Sequence, residues 1–335
     1  MVKVIDMHCD TIAALYEMQQ RGEEASLLEN SLSVSLEKLE KGGYGLQNFA
    51  MFINLSKAAD RPFEACMRLA DTFFAQMEAF SERIQIVRSW EDIERNWREG
   101  KLSALLTAEE GGICQGETAF LRILYQLGVR MMTLTWNHPN ELGWPNIMHR
   151  KPDGTKVLQP DTVHGLTEKG IAFLEEMERL GMIVDISHLN DAGIEDVFCH
   201  TKKPFVASHS NCRALSPHPR NLTDDMIRRL AERGGVAGLN FCAAFLVRKE
   251  TDEVQTSYLN DMLRHLRHMK QVGGIGVIGL GTDFDGIENP VELGDASGMQ
   301  RLAQAMEKDG FTTGEIEQVF HGNVLRVYRE VLGGK

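Results

Sequence analysis

The chain has 335 residues, of which 43% are apolar, and a formal net charge of −12 at pH 7. This length suits one large α/β domain or two smaller ones, and the composition is that of an ordinary globular protein. The excess of acidic residues argues against nucleic-acid binding, because neutralising phosphates requires a surplus of Lys and Arg, and against anionic membranes.

The sequence predicts neither a membrane span nor an export signal. No stretch reaches the roughly 18 uncharged apolar residues of a transmembrane helix. Strand-like residues begin at Val2, with no charged n-region and no cleavage site, so we expect a cytoplasmic protein. The six cysteines form no CxxC pair, which predicts buried free thiols and disfavours a disulfide framework or a zinc ribbon.

Eight short apolar runs recur along the chain, and helix-like segments such as 61–80 and 168–181 lie between most of them. The runs cover residues 2–8, 46–54, 102–109, 129–136, 182–188, 204–209, 235–241 and 276–283. Alternating strand and helix signals predict parallel strands joined by crossovers. Eight such units predict an α/β fold with a closed (β/α)8 barrel of the TIM type, a single domain over residues 1–335. An open doubly wound sheet stays the alternative.

Polar residues follow these runs on their C-terminal sides. They are His8, Asp10, Asn54, Glu109, Trp136, Asn137, His188, His209, Asn240 and Asp283. The carboxyl ends of barrel strands converge on one face, where such enzymes place their active sites, so we expect one site there. The long segment 137–164 follows the fourth run and has little periodicity. Loops of that size inside a compact domain are usually functional, so we expect it over the mouth of the barrel.

Several of these residues are candidate metal ligands. His8 and Asp10 have the i, i+2 spacing that places two side chains on the same side of a strand, and imidazole and carboxylate both bind zinc. Asp6, one step deeper on that side, is a candidate partner for a ligand histidine. His188 and His209 each end a run. Read alone, each of these residues is also compatible with a structural role.

Two acidic positions and one arginine add candidate chemistry. Glu109 and Glu110 end the third run, where a carboxylate could bridge two metals. Adjacent strand residues face opposite ways, so we expect only one of them to point inward; a solvated acidic turn is the alternative. Asp283 could accept a proton from a metal-bound water. Arg220 could bind a substrate carboxylate or be an ordinary surface arginine.

The motifs in their order resemble the membrane dipeptidase (renal dipeptidase) family of zinc peptidases, within the amidohydrolase superfamily, and its bacterial cytosolic type in particular. The likeness runs nearly end to end. It is carried by IDMHCDT, GKLSALLTAEEGG, LYQLGVRMMTLTWN, GLTEKG, GMIVDISH, ASHSNCRAL, RNLTDD, GTDFDG and HGNVLRVY.

The resemblance implies a binuclear centre of two Zn²⁺ per chain at the carboxyl ends of the strands. It implies that His8 and Asp10 bind one zinc and that His188 and His209 bind the other. Glu109, favoured over Glu110 by its distance from the GK of the third motif, would bridge both ions together with a water or hydroxide.

The resemblance also implies roles toward the substrate. Asp283 would be the general acid/base, and Arg220 would hold the free carboxylate. Mammalian members place a histidine after TLT to contact the substrate. Here Trp136 takes that position, as in bacterial members, and whether His138 replaces the histidine stays open.

Together these features predict a zinc-dependent dipeptidase in which a metal-bridging hydroxide attacks the peptide bond. Tolerance of a D-residue at the C-terminal position is implied by the family. A small dipeptide is the expected partner, and the family suggests a homodimer. Two alternatives stay open: another amidohydrolase-type hydrolase acting on a lactone, cyclic amide or N-acyl amino acid, or a non-catalytic binding protein on this scaffold.

Overall fold

Eight parallel strands close into a barrel in the computed structural model, which describes residues 1–58, 60–150, 152–153, 156–248 and 253–333. The strands are β1 (Val4–Asp6), β2 (Tyr44–Phe52), β3 (Leu102–Glu109), β4 (Val129–Thr133), β5 (Ile183–Asp185), β6 (Val206–Ala207), β7 (Val236–Leu239) and β8 (Ile278–Leu280). Each overlaps one of the eight predicted runs. Because β1 pairs with both β2 and β8, the ring is closed, and the predicted (β/α)8 barrel is confirmed.

Helices surround this ring. They are α1 (Thr11–Gln20), α2 (Leu36–Gly42), α3 (Leu55–Ala58), α4 (Pro62–Ala79), α5 (Trp90–Glu99), α6 (Thr118–Leu127), α7 (Glu168–Leu180), α8 (Asp191–His200), α9 (Asp224–Glu232), α10 (Ala243–Leu246), α11 (Leu259–Gly273), α12 (Met299–Lys308), α13 (Thr313–Glu317) and α14 (Asn323–Leu332). The helical segments predicted at 61–80 and 168–181 are confirmed as α4 and α7. In the described part of the chain, no helix combines the length and apolar character needed to cross a membrane.

Glycines end three of the crossover helices. Gly100, Gly128 and Gly181 follow α5, α6 and α7 with φ values of 69°, 113° and 78°, in the left-handed region that favours glycine. The next strand begins one or two residues later in each case. Because these turns are so short, the longer connections lie after the carboxyl ends of the strands, on the face of the barrel where a site was predicted.

Helix α14 fills the opposite, N-terminal end of the barrel. Its apolar side chains join the inner side chains of the strands in one buried cluster, which includes Ile5, Leu46, Leu105, Met131, Ile183, Val206, Val236, Val324, Val327, Tyr328 and Val331. The side-chain amide of Asn48 in β2 donates a hydrogen bond to the Tyr328 hydroxyl at 2.7 Å. The barrel interior is therefore packed with apolar side chains at this end, which leaves the carboxyl ends of the strands as the place for a site.

Two short strand features were not predicted. Ile84–Ile86 pairs with β3 outside the ring. Within the predicted loop 137–164, His149–Arg150 and Lys156–Val157 form an antiparallel pair, so the expectation of a loop without regular structure is wrong for these residues. Loop residues 151, 154 and 155 lie outside the described residues. The start of the loop lies against the end of β5, because the backbone N–H of Asn146 donates to the carbonyl of His188 at 2.8 Å.

Candidate metal centre

Six titratable side chains meet at the carboxyl ends of five strands. They are His8 and Asp10 after β1, Glu109 at the end of β3, His188 after β5, His209 after β6 and Asp283 after β8. All but Asp283 are buried, and Asp283 is partly exposed. Each was predicted as a site residue, and the structure brings all six together.

The backbone near the start of the chain departs from the expected strand geometry. Strand β1 ends at Asp6, so His8 and Asp10 do not lie on a continuing strand. Their side chains still converge, with His8 Nε2 3.4 Å from Asp10 Oδ2. Asp6, the candidate partner for a ligand histidine, bonds the main chain of His8 and not its ring in the described structure. Asp6 accepts from the backbone N–H of His8 at 3.2 Å and from the Thr282 N–H and hydroxyl at 2.9 and 2.7 Å, which ties the ends of β1 and β8 together.

Two of the clustered residues adopt a backbone conformation that is rare for residues other than glycine. His188 has φ 70° and Asp283 has φ 62°, both in the left-handed region. Such conformations persist where the surroundings fix them and are concentrated at functional sites. Here the Asp283 N–H donates to the His8 carbonyl at 3.2 Å, and the His188 carbonyl accepts from Asn146. These bonds turn the chain sharply where each strand ends.

Glu109 faces the cluster with both of its carboxylate oxygens. It ends β3 on the same face as Leu105, which lies inside the barrel. Its Oε2 lies 3.2 Å from His8 Nε2, and its Oε1 lies 3.1 Å from His188 Nε2. Each oxygen thus faces a different histidine, which is the arrangement that a carboxylate shared by two metals requires.

Glu110 faces away and organises the loop after β4. Its carboxylate accepts hydrogen bonds from the N–H groups of Gly112 at 2.7 Å and Trp136 at 3.1 Å, and from the Asn140 side-chain amide. Burial raises the pKa of Glu110 to about 7, although these hydrogen bonds oppose the shift. Glu110 therefore acts as a structural anchor.

Hydrogen bonds leave the Nε2 atoms of His188 and His209 without hydrogens. His188 Nδ1 donates to the side-chain oxygen of Asn137 at 3.1 Å, because an amide oxygen only accepts. The Ser208 hydroxyl donates to Asp185 at 2.5 Å and therefore accepts from His209 Nδ1 at 2.7 Å. The two Nε2 atoms lie 3.0 Å apart. Two lone pairs at this distance repel each other unless a cation lies beside them.

Buried charge adds to this demand for a cation. Burial, reinforced by positive charge nearby, lowers the pKa of His188 and of His209 well below the usual value. Burial raises the pKa of Glu109, although His8 opposes the shift. Burial would lower the pKa of His8, but Glu109 and Asp10 outweigh it and raise this pKa well above its usual value. A bound metal ion would supply the positive charge that these buried carboxylates otherwise draw from His8.

The donor set fits metal ions. Two overlapping groups have their ligand atoms within 4.8 Å of one another, namely His8 with Glu109 and His209, and His8 with Asp10 and Asp283. Within the described part of the chain, His8 Nε2 and Asp10 Oδ1 are buried without a hydrogen-bond partner, although buried polar atoms are normally paired. Imidazole nitrogens and carboxylate oxygens together suit a divalent ion such as Zn²⁺.

Asp283 lies at the edge of this cluster. The Asn240 side-chain amide donates to Asp283 Oδ2 at 2.9 Å, and Asp283 Oδ1 lies 3.9 Å from His8 Nε2. Burial raises the pKa of Asp283 to about 6; His8 opposes this shift and Asp10 adds to it. A Cβ atom at Gly286 would lie 2.0 Å from Asp10 Oδ2 and 2.7 Å from Asp283 Oδ1. The absence of a side chain at Gly286 therefore lets both carboxylates approach the cluster.

Arg220 lies beside the cluster with donors to spare. It is 6% exposed, and its Nη atoms make long hydrogen bonds of 3.4 Å to the Ser210 hydroxyl and the His209 carbonyl. Among the described residues, its Nε has no hydrogen-bond partner and its guanidinium has no salt-bridging carboxylate. Burial lowers its pKa to about 10, against the effect of Asp283, so the group stays cationic at neutral pH. Such a group is suited to binding an anion.

A cavity of about 610 Å³ opens over the cluster. Its wall includes Asp10, Glu109, His188 and Asp283, together with Trp136. The Trp136 ring centroid lies 6.2 Å from that of His188.

The structure does not bring His138 into this wall. Its ring centroid lies 5.8 Å from that of Trp136, and His138 is not among the described residues that line the cavity. A substrate contact by His138 therefore stays a prediction.

Asn54, the polar residue after the second run, is not among the described residues that line the cavity. Its side-chain oxygen accepts from the N–H of Ser56 at 3.0 Å and from the Ser56 hydroxyl at 2.7 Å.

Sequence reasoning missed the residues that orient the histidine rings. Asp185 and Ser208 fix His209, and Asn137, noted only as a polar strand end, fixes His188. One signal was available, since Asp185 is a charged residue within the apolar run MIVDISH. A buried carboxylate in such a run needs hydrogen-bond donors, which predicts a polar network behind the strand end.

The whole chain is similar to known dipeptidases. A family model for the membrane dipeptidases, peptidase family M19, matches residues 1–333. The dipeptidase tcpJ of Claviceps purpurea is 30% identical over 331 residues, which cover 96% of this chain and 74% of that protein.

Two solved structures share this fold over almost their full length. The crystal structure of a metallo peptidase named dipeptidase AC has a TM-score of 0.87 at 27% identity, covering 99% of each chain. A metallo peptidase from Rhodobacter sphaeroides, liganded with a phosphinate mimic of the dipeptide L-Ala-D-Ala, has a TM-score of 0.87 at 25% identity, covering 98% of this chain and 99% of that one. Because the family model matches nearly every residue, the chain belongs to the membrane dipeptidase family, peptidase family M19, and is a metal-dependent dipeptidase.

Proposed function

We propose that this dipeptidase works with two zinc ions and cleaves dipeptides whose C-terminal residue is either an L- or a D-amino acid. One observation carries the proposal: the two oxygens of Glu109 face different histidines, at 3.2 Å from His8 Nε2 and 3.1 Å from His188 Nε2. His8 and Asp10 would hold one ion, and His188 and His209 the other, with Glu109 shared between them.

The proton transfers are assigned to Asp283. Zinc ions bound at this cluster would lower the pKa of a water molecule and polarise the scissile carbonyl. Asp283 reaches into the cluster with one oxygen while Asn240 holds the other. Its pKa, raised to about 6 by burial, suits a group that takes a proton from water and returns it to the departing amine near neutral pH.

Arg220 is assigned to the free carboxylate of the substrate. Its guanidinium bonds the carbonyl of His209, so it lies next to the cluster, and two parallel N–H donors match a carboxylate well. A peptide with a further residue would carry its carboxylate past this point. The arrangement thus favours dipeptides over longer chains.

Acceptance of a D-residue is supported by a relative. The metallo peptidase of R. sphaeroides binds a mimic of L-Ala-D-Ala and is 25% identical to this chain. We extend that stereochemistry to this protein. The homodimer suggested by the family and the cytoplasmic location expected from the sequence stay predictions.

Protein stripped of metal and reloaded with Zn²⁺ tests the proposal. L-Ala-L-Ala, L-Ala-D-Ala, N-acetyl-L-alanine and a simple lactone would be compared as substrates. We expect hydrolysis of both dipeptides and none by the metal-free protein. Turnover of the lactone or the N-acyl amino acid without turnover of either dipeptide would contradict the proposal and favour a different amidohydrolase activity.

A further inference from the structure

We propose that Arg213, through its ion pair with Asp191, is a positioning residue that holds Arg220 at a fixed distance from the metal centre and so restricts the enzyme to dipeptides. This inference rests on the proposed role of Arg220 in binding the substrate carboxylate. Neither Arg213 nor Asp191 lines the cavity formed by the described residues, and Arg220 is not in its wall either. Arg213 and Asp191 act on Arg220 through the backbone of the loop that carries it.

Arg213 bonds the main chain on both sides of Arg220. Its Nη2 donates to the carbonyl of Pro219 at 3.0 Å, and its Nε donates to the carbonyl of Asn221 at 2.7 Å. The backbone N–H of Arg213 also donates to the carbonyl of Leu222 at 2.8 Å. One side chain thus bonds the backbone carbonyls of the residues immediately before and after Arg220.

Asp191 anchors Arg213 to the segment that provides a predicted metal ligand. The Arg213 Nη1 and Nη2 atoms lie 2.6 and 2.7 Å from the two Asp191 oxygens, a two-pronged pair, and both side chains are largely buried. Asp191 begins α8, only three residues after His188. The pair therefore connects the Arg220 loop to the strand end at the cluster through a short and rigid path.

Asn146 joins the same network from the long loop after β4. Its amide donates to Asp191 at 2.7 Å and to the Pro219 carbonyl at 3.0 Å, and its oxygen accepts from the Asp161 N–H at 3.0 Å. The loop that covers one side of the site is thus fastened to the same pair.

The guanidinium of Arg220 is itself weakly held. Its two side-chain hydrogen bonds are 3.4 Å long, close to the limit for such a bond. Its direction therefore depends on the backbone that carries it. A shift of about 1 Å in a binding group is enough to disturb a productive substrate geometry. Loss of the Arg213 contacts should therefore displace Arg220 and weaken binding of the substrate carboxylate.

Kinetics of the zinc-loaded Arg213→Lys variant test this inference, with L-Ala-L-Ala and its C-terminal carboxamide as substrates. Lys keeps the charge but cannot bond Asp191 and both carbonyls at once. We expect KM for the dipeptide to rise about tenfold, the change that loss of one charge-assisted hydrogen bond produces. The zinc content, kcat and the KM for the carboxamide should stay as in the wild type, and tripeptide cleavage should rise relative to dipeptide cleavage.

A double-mutant cycle shows whether Arg213 acts through Arg220. In an Arg220→Ala background, Arg213→Lys should add no further change in KM, because coupled residues are not additive. Arg229→Lys is the matched control, since Arg229 pairs with Glu195 of the same helix α8 at 2.6 Å but has no bond to the Arg220 loop in the described structure; its KM should be unchanged.

Equal KM increases for dipeptide and carboxamide, additivity in the cycle or loss of zinc would overturn the inference and leave Arg213 a purely structural residue. If Arg213→Lys does not fold, Asn146→Ala replaces it. This substitution removes three hydrogen bonds of the network and leaves the Arg213–Asp191 ion pair in place, so the same pattern is expected at smaller size. Failure of the wild-type protein to cleave any dipeptide would instead refute the proposed function itself.

Discussion

Glu109 and Glu110 show how the environment separates two identical side chains. Glu109 continues the inward face of β3 and meets three histidines. Glu110, with φ 128°, leaves the strand and satisfies donors of the following loop. Strand alternation alone left the choice between them open, because it shows that two neighbours differ but not which of them faces inward; only the family resemblance favoured Glu109.

Paired substitutions test the assignment. Glu109→Gln should lose bound zinc, because a neutral amide cannot share its oxygens between two cations. The Glu110→Gln variant should keep its zinc, but its free energy of unfolding should fall by about 1–3 kcal/mol. Both Glu110 oxygens accept from backbone N–H groups, and the NH₂ group of glutamine would place a donor against one of these donors. Metal analysis and urea unfolding distinguish the two variants. Loss of zinc from the Glu110 variant alone would show that the assignment is reversed.

Asp283→Asn separates proton transfer from metal binding. Asn240 can still donate to the remaining oxygen at position 283, so we expect the zinc content of the wild type. Without a titratable group, kcat should fall by about 10²–10⁴, the usual contribution of a general acid/base. The zinc content of the purified variant distinguishes the two roles. Loss of zinc would show that Asp283 is a metal ligand and not a proton carrier.

At the scale of the element, the barrel was predictable and its irregular parts were not. Eight apolar runs located all eight strands because a buried parallel strand is apolar on both faces. The orienting network of Asp185 and Ser208 and the strand pair in the loop after β4 were missed, since both depend on contacts between segments distant in sequence. His8 and Asp10 were correctly placed although their strand ends before them, because the turn that follows β1 also directs them to the cluster.

The contact between Asn48 and Tyr328 fastens helix α14 to the barrel. Tyr328→Phe leaves a buried amide hydrogen without its acceptor, so we expect a loss of about 1–2 kcal/mol in the free energy of unfolding. The zinc content and kcat should not change, because neither Asn48 nor Tyr328 is among the described residues that line the cavity, and the Asn48 amide bonds none of the six clustered side chains. Tyr258→Phe, at a side chain that is 55% exposed, is the control and should change stability by less than about 0.5 kcal/mol. Equal effects of the two substitutions would refute this role of α14.

For the whole molecule, the cluster is expected to make stability depend on metal. Facing imidazole nitrogens and three carboxylates in a small volume favour opening of this face when no cation compensates them. Zinc at 100 times its dissociation constant should add about 2.7 kcal/mol of stability, seen as a higher Tm than that of the chelated protein. Glu109→Gln should show a smaller increase. An unchanged Tm after verified zinc removal would contradict this expectation.

The packing of α14 against the barrel floor also bears on how the reaction ends. Val324, Val327 and Tyr328 fill that end. In the described structure, substrate and products therefore use the same opening of the cavity, on the loop side. The two amino acids released by one cleavage must therefore leave in turn before another dipeptide enters. If Arg220 binds the substrate carboxylate as proposed, the C-terminal amino acid should depart last, and we expect it to be a competitive inhibitor of the reaction.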